Sequence, residues 1–203
     1  MADRPALLEL VDLFARLRRE CAWKAAQTHR SLSRYLLEES YETVEAIDAG
    51  DPDLLREELG DLLLQVYLHA AIAEQAGDFT LEEVAAGLRD KMIRRNPHVF
   101  GGPGDIDGEA PTDPAAVDEL WQRVKAGEKR REQVMAGVPV ALPALLRADK
   151  LLERMERAGR PVRPDPRSDD PGERLLAVVA ELRAEGVDPE AALRDAVRRH
   201  ESA

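Results

Sequence analysis

The chain has 203 residues with Lys+Arg 29 against Asp+Glu 40, a formal net charge of −11; 44% is hydrophobic, 34% charged and 4% aromatic. That length can bury a sizeable core, and the composition is that of a globular, helix-rich chain rather than a disordered one. The acidity argues against a nucleic-acid polymer as partner, because phosphate contacts need a basic face. The single cysteine, Cys21, excludes an internal disulfide and points to a reducing, cytoplasmic setting.

Apolar residues at Leu7, Leu10, Val11, Phe14 and Leu17 recur at helical spacing and predict a first helix. Glu9, Asp12 and Arg16 interrupt it, so it is neither a secretory leader nor a bilayer span, and no other segment is long enough to cross a membrane. Residues Cys21–Gln27 read as a loop, and a second helix runs from about Thr28–Ser31 to Ala49, stopped by Gly50. Asp51-Pro52 is an N-cap with proline in the first turn of a long third helix, which Gly77 ends. Thr80 with Glu83 forms a capping box for a fourth helix, closed by Asn96-Pro97.

Residues 96–112, with four glycines and three prolines, read as a loop. Asp113-Pro114 opens a fifth helix to about Arg131, and Pro143 to Arg157 forms a sixth. No strand alternation appears, so the expected fold is all-α, a helical bundle built on a helix hairpin with flanking helices. Residues 1–159 form the expected domain, 160–171 a proline-rich linker, and 172–203 a tail too short for a core of its own. That tail repeats upstream residues: Gly172 through Val179 echoes Gly60 through Val66, and Gly186 through Arg194 echoes the start of the fourth helix. It reads as a shortened second copy of the third and fourth helices.

Most of the negative charge sits between residues 38 and 61, where ten acids stand against Arg56 alone. At about 100° per residue, Glu39 falls inside the apolar arc of the second helix and Glu42 on its edge, whereas Glu38 and Glu45 point away. On the third helix Glu58 and Asp61 occupy a stripe bordered by apolar residues. Each helix thus offers a carboxylate pair at i, i+3, and the short turn at Gly50–Pro52 folds the two helices into an antiparallel hairpin. Four partly buried carboxylates repel unless cations neutralise them, and all-oxygen ligation suits Mg²⁺, with Mn²⁺ as a substitute, rather than zinc. The alternative is a wet helix interface where the acids pair with Arg or Lys.

A di-iron bundle needs Glu-x-x-His. The residues three before His29, His69, His98 and His200 are Ala26, Val66, Arg95 and Val197, so that chemistry is excluded. No Gly-x-x-x-x-Gly-Lys phosphate loop is present either. The basic counterpart is Lys91, Arg94 and Arg95, which share a face of the fourth helix and suit a polyphosphate, or else merely complement a helix C-terminus. Trp121 and Lys125, one turn apart, could stack on a base and reach a phosphate.

These residues resemble MazG nucleoside triphosphate pyrophosphohydrolases. The likeness runs through Cys21-Ala22-Trp23, Gln27-Thr28-His29, Tyr35 through Glu42, and Glu57-Glu58-Leu59-Gly60-Asp61. It continues through Asp90-Lys91, Arg94 through Phe100, Trp121 with Lys125, and Gly137-Val138-Pro139, covering about residues 6–155. The resemblance implies that Glu39, Glu42, Glu58 and Asp61 bind Mg²⁺. It implies nucleotide contacts from Lys91, Arg95 and Trp121, with Arg94, Lys125 and Trp23 as further substrate-side candidates. Cleavage would fall between the α- and β-phosphates, giving a nucleoside monophosphate and pyrophosphate, with Glu38 orienting the attacking water. Members of the family are similar in pairing a broad helical face, so a homodimer is expected.

The sequence also departs from the pattern. Ala22 and Lys24 stand where the family usually reads Pro and Asp, and Ser40 and Asn96 replace Ala and His. Larger relatives carry two full modules; here the tail lacks the Glu-Glu-x-x-Glu helix and has Gly172-Glu173-Arg174 at the second metal position, so activity belongs to the first copy. The leading expectation is a fairly unselective (d)NTP pyrophosphohydrolase that cleans the nucleotide pool. The alternatives are a narrower pyrophosphatase acting on dUTP, phosphoribosyl-ATP or a damaged dNTP, and a non-catalytic module that senses nucleotide or metal.

Overall fold

The computed structural model describes residues 5–101, 111–128 and 134–201. Ten helices appear among them and no strand, so the fold is all-α. They are α1 (Ala6–Glu20), α2 (Ala22–Ala25), α3 (His29–Ala49), α4 (Pro52–Ala76), α5 (Leu81–Arg95), α6 (Pro97–Phe100), α7 (Pro114–Glu128), α8 (Ala144–Arg157), α9 (Pro171–Ala184) and α10 (Pro189–Glu201). No described helix is long and apolar enough to cross a membrane.

Two elements differ from the sequence expectation. Residues 22–25 form one helical turn in place of the expected loop, because Ala26 and Gln27 fold back on Ala22 and Lys24 through backbone bonds of 3.1 and 3.2 Å. Pro97, fixed in a helical φ at the first helical position, starts the short α6 inside the expected 96–112 loop. The remainder of that loop, residues 102–110, and the expected end of the fifth helix near Arg131 lie outside the described residues.

The chain divides into two compact units, Met1–Val124 and Lys125–Ala203. In the first, α4 is the central helix and packs against α1, α3 and α5. Phe14, Leu32, Tyr67 and Leu68 form its core, with Leu32 and Leu68 each 1% exposed. The Phe14 and Tyr67 rings lie 5.7 Å apart, and the Tyr67 hydroxyl donates to the Leu7 carbonyl at 2.6 Å, tying α1 to α4. Ala46, Ala70 and Ala73 are buried as well, and their small side chains let neighbouring helices approach closely.

In the second unit, α8, α9 and α10 pack on one another. Leu152 and Val179 are buried there, so the tail shares a core with α8 rather than standing alone. Glu153 is also buried and is held by Lys150 and Arg157, each at 2.8 Å. Arg183 of α9 reaches Asp149 of α8 at 2.9 Å.

Candidate functional site

The site is set by how α3 begins and ends. Thr28 caps α3 reciprocally with Ser31: the Thr28 hydroxyl accepts from the Ser31 amide at 3.1 Å, and the Ser31 hydroxyl accepts from the Thr28 amide at 2.9 Å. At the other end Gly50 takes the left-handed conformation with φ 67°, which a side chain would strain. Asp51 follows at once, its carboxylate accepting from the amides of Asp53 and Leu54 at 2.9 and 3.1 Å. This tight reversal sends α4 back along α3.

The reversal brings Glu39 of α3 opposite Glu58 and Asp61 of α4, with one carboxylate oxygen from each lying within 4.8 Å of the others. Glu42 is exposed, and its carboxyl group hydrogen-bonds that of Glu39. Three of the four acids singled out by helical phase therefore meet, and Glu42 lies beside Glu39. No Lys or Arg forms an ion pair with any of them among the described residues.

Their electrostatics follow from that arrangement. Burial raises the pKa of Glu39, and the charges of Asp61 and Glu42, the hydrogen bond with Glu42 and the charge of Glu58 raise it further. Glu58 is raised by desolvation and by Glu42, Asp61 and Glu57. Such a cluster of hard carboxylate oxygens, mutually repelling and without an ion-paired Lys or Arg among the described residues, fits a divalent metal ion. Glu38 points elsewhere, paired with Arg34 at 3.2 Å.

The other candidates divide into two groups. On α5, Lys91 and Arg95 are half-buried and Arg94 is exposed. The Arg95 guanidinium lies over the Trp121 ring, 4.8 Å from its centroid, which joins α5 to α7. Lys125 follows one helical turn after Trp121, beyond the division at Val124. Trp23, half exposed, meets the Tyr35 ring edge-on at 6.0 Å and 73°.

Sequence reasoning misses three residues of this second group. Tyr35 precedes Glu39 by four residues and so shares its helix face, a spacing visible in the sequence. Lys24 places its ammonium 5.1 Å from the Trp23 ring centroid. Arg18 organises the segment between α1 and α3: its guanidinium donates to the carbonyls of Lys24, Ala25 and Gln27, and its Nε to Gln75 Oε1 at 2.9 Å. Those long-range partners leave no trace in local spacing.

Residues 27–100, which include the whole carboxylate cluster and Lys91, Arg94 and Arg95, match the family described as the MazG nucleotide pyrophosphohydrolase domain. The chain is 47% identical over 193 residues to a 26.1 kDa protein from the blaB 3′ region of Streptomyces cacaoi, covering 94% of this chain and 77% of that one. It is 37% identical over 216 residues to the nucleoside triphosphate pyrophosphohydrolase/pyrophosphatase MazG of Thermotoga maritima, covering 94% and 81%. It is 43% identical over 159 residues to the nucleoside triphosphate pyrophosphohydrolase of Mycobacterium tuberculosis, but spans only 46% of that longer protein against 76% of itself.

Proposed function

The chain belongs to the MazG nucleotide pyrophosphohydrolase family, and from that premise we propose that it is a Mg²⁺-dependent enzyme that splits nucleoside triphosphates into monophosphate and pyrophosphate. The observation that carries this reading is the convergence of Glu39, Glu58 and Asp61 within 4.8 Å, with no cationic side chain paired to them among the described residues. Glu39, Glu42, Glu58 and Asp61 would hold the cation. A divalent ion bound there offsets charge on phosphate oxygens and acidifies a coordinated water.

The remaining roles fall to side chains. Lys91, Arg94 and Arg95 meet the phosphate chain, Arg95 steadied by the Trp121 ring. Trp23 contributes on the nucleoside side. Water attacking the α-phosphorus breaks its bond to the bridging oxygen and releases pyrophosphate; Glu38, the sequence's candidate for orienting that water, is instead paired with Arg34 outside the carboxylate cluster.

The test is incubation with each NTP and dNTP plus Mg²⁺, with products resolved by phosphorus NMR and Glu39→Ala as control. Monophosphate and pyrophosphate, absent in the variant, are expected. Diphosphate and orthophosphate would overturn the site of cleavage.

The same reading includes a homodimer working on the cytoplasmic nucleotide pool. Leu37, Tyr41 and Ile47 of α3 and Leu59 of α4 are each more than half exposed in the single chain, an apolar surface of the kind subunit contacts cover. Sedimentation equilibrium checks it. Residues 172–203 are read as a degenerate second copy after the 160–171 linker, in support of which a left-handed glycine, Gly186, stands between α9 and α10, one residue beyond the Glu185 cap of α9, as Gly77 stands between α4 and α5.

A further inference from the structure

We infer that the nucleobase docks on the Trp23–Tyr35 pair and that Lys24 makes the enzyme prefer bases carrying a carbonyl at the ring position where adenine and cytosine carry an amino group. This rests on the pyrophosphohydrolase reading above, and it names the substrate class: guanine, hypoxanthine, uracil and thymine nucleotides.

The placement comes from the helix. Tyr35 stands one turn before Glu39 on the same face of α3, so a nucleotide with its phosphates at the carboxylate cluster has its nucleoside end beside Tyr35. Tyr35 is partly buried against the Phe14–Leu32–Tyr67–Leu68 core, with the Arg34 guanidinium 5.1 Å from its ring centroid. Trp23 meets it edge-on, 6.0 Å between centroids, and leaves half its own surface open. Three carbonyls of the segment carrying Trp23 are held by the single Arg18 guanidinium, and Gln27 Nε2 donates to the Trp23 carbonyl at 3.0 Å. The result is a rigid aromatic corner, and base-on-aromatic stacking tolerates every base.

Selectivity comes from Lys24. Its ammonium lies over the indole at 5.1 Å and forms no ion pair with a carboxylate among the described residues. A base stacking on that ring takes the ammonium's place and leaves it at the base's edge, tethered by the next residue in the chain. An ammonium only donates. Guanine offers O6 beside N7, and uracil and thymine offer O4, all acceptors; adenine and cytosine present an NH₂ donor at the same place, which opposes it.

The test compares kcat/KM for GTP, ATP, UTP and CTP in the wild-type chain, Lys24→Met and Trp23→Ala. The expected result is GTP over ATP and UTP over CTP by about ten-fold, one charged hydrogen bond's worth of discrimination. In Lys24→Met both ratios fall towards one, and in Trp23→Ala all four substrates weaken together. Equal rates in the wild type, or ratios that survive Lys24→Met, overturn the inference. So does an equal loss for all four in Lys24→Met, which makes Lys24 a phosphate contact. Hydrolysis of none of the four defeats the parent reading instead. Calorimetric binding of GTP and ATP with Mg²⁺ then decides: a GTP preference of about ten-fold that Lys24→Met abolishes upholds the base site, and equal affinities overturn it.

Discussion

His29 and His69 face each other across α3 and α4 with their Nδ1 atoms 2.6 Å apart and their rings stacked, 5.0 Å between centroids and 5° between planes. One ring must donate and the other accept, so only the pair with at most one shared proton at that contact is tolerated. Burial, and then the charge on His29, lower the pKa of His69 below the imidazole value of 6.5.

A folded-state pKa below the unfolded one means that the unfolded chain binds more protons, so this contact stabilises the fold above pH 6.5 and is lost as pH falls through and below it. Melting temperature is expected to fall between pH 7.5 and 5.5 by about 2–4 °C more than in His69→Gln, the equivalent of about 1 kcal/mol for one lost internal hydrogen bond. A parallel pH dependence in the two proteins refutes the role given to the pair.

The carboxylate cluster behaves in the opposite sense. Glu39 and Glu58 have raised pKa values, so above them ionisation strains the fold, and the metal-free protein gains stability as pH falls toward the ordinary carboxylate value of 4.5. Glu39→Gln removes one of the repelling charges and is expected to raise the metal-free melting temperature at pH 7. The same change should abolish stabilisation by Mg²⁺, which in the wild type reaches about 2.7 kcal/mol at a hundred times its Kd, or about 5–10 °C. Calorimetric melts with EDTA and with Mg²⁺ read both. Unchanged Mg²⁺ stabilisation in the variant places the ion elsewhere.

Much of this is visible in the residues because the governing interactions are local. Gly50-Asp51-Pro52 fixes the hairpin, Thr80 and Glu83 form the capping box that their spacing predicts, and the phase of Glu39, Glu42, Glu58 and Asp61 is a property of two single helices. What sequence does not reveal depends on pairing across distance. His29 meets His69 only because forty residues of chain reverse in register, and Arg18 reaches Gln75 across fifty-seven. Leu36 and Ile47 lie on the apolar arc of α3, yet they are 40% and 57% exposed, since such an arc says which residues seek cover but not whether the same chain provides it.

Arg95 over Trp121 predicts a split in kinetics. If the ring steadies the guanidinium for the phosphate chain, Trp121→Ala raises KM for every nucleoside triphosphate by about two- to ten-fold, the range of a partly exposed cation–π contact. Trp121→Phe keeps an aromatic face and should restore most of the loss. Base-dependent changes in KM would instead make Trp121 a base contact.

The C-terminal unit carries its own pH signature. Burial opposes ionisation of Glu153, but the hydrogen bond and charge of Lys150 and the charges of Arg157 and Arg183 outweigh it, and its pKa lies below 4.5. The ionised form is therefore the one the fold favours, and its contribution is present above pH 4.5 and disappears as pH falls through the lowered value. Lys150 and Arg157 are 43% and 44% exposed, so solvent screens both pairs and the loss in Glu153→Gln is about 1 kcal/mol rather than the several expected of a fully buried network. For a unit of this size that corresponds to about 4–8 °C in its own unfolding transition at pH 7. As pH falls through that lowered value the wild type and the variant should come to melt together, because Glu153 becomes neutral in both; a gap that persists once Glu153 has titrated would assign the loss to packing around the side chain instead of to its charge.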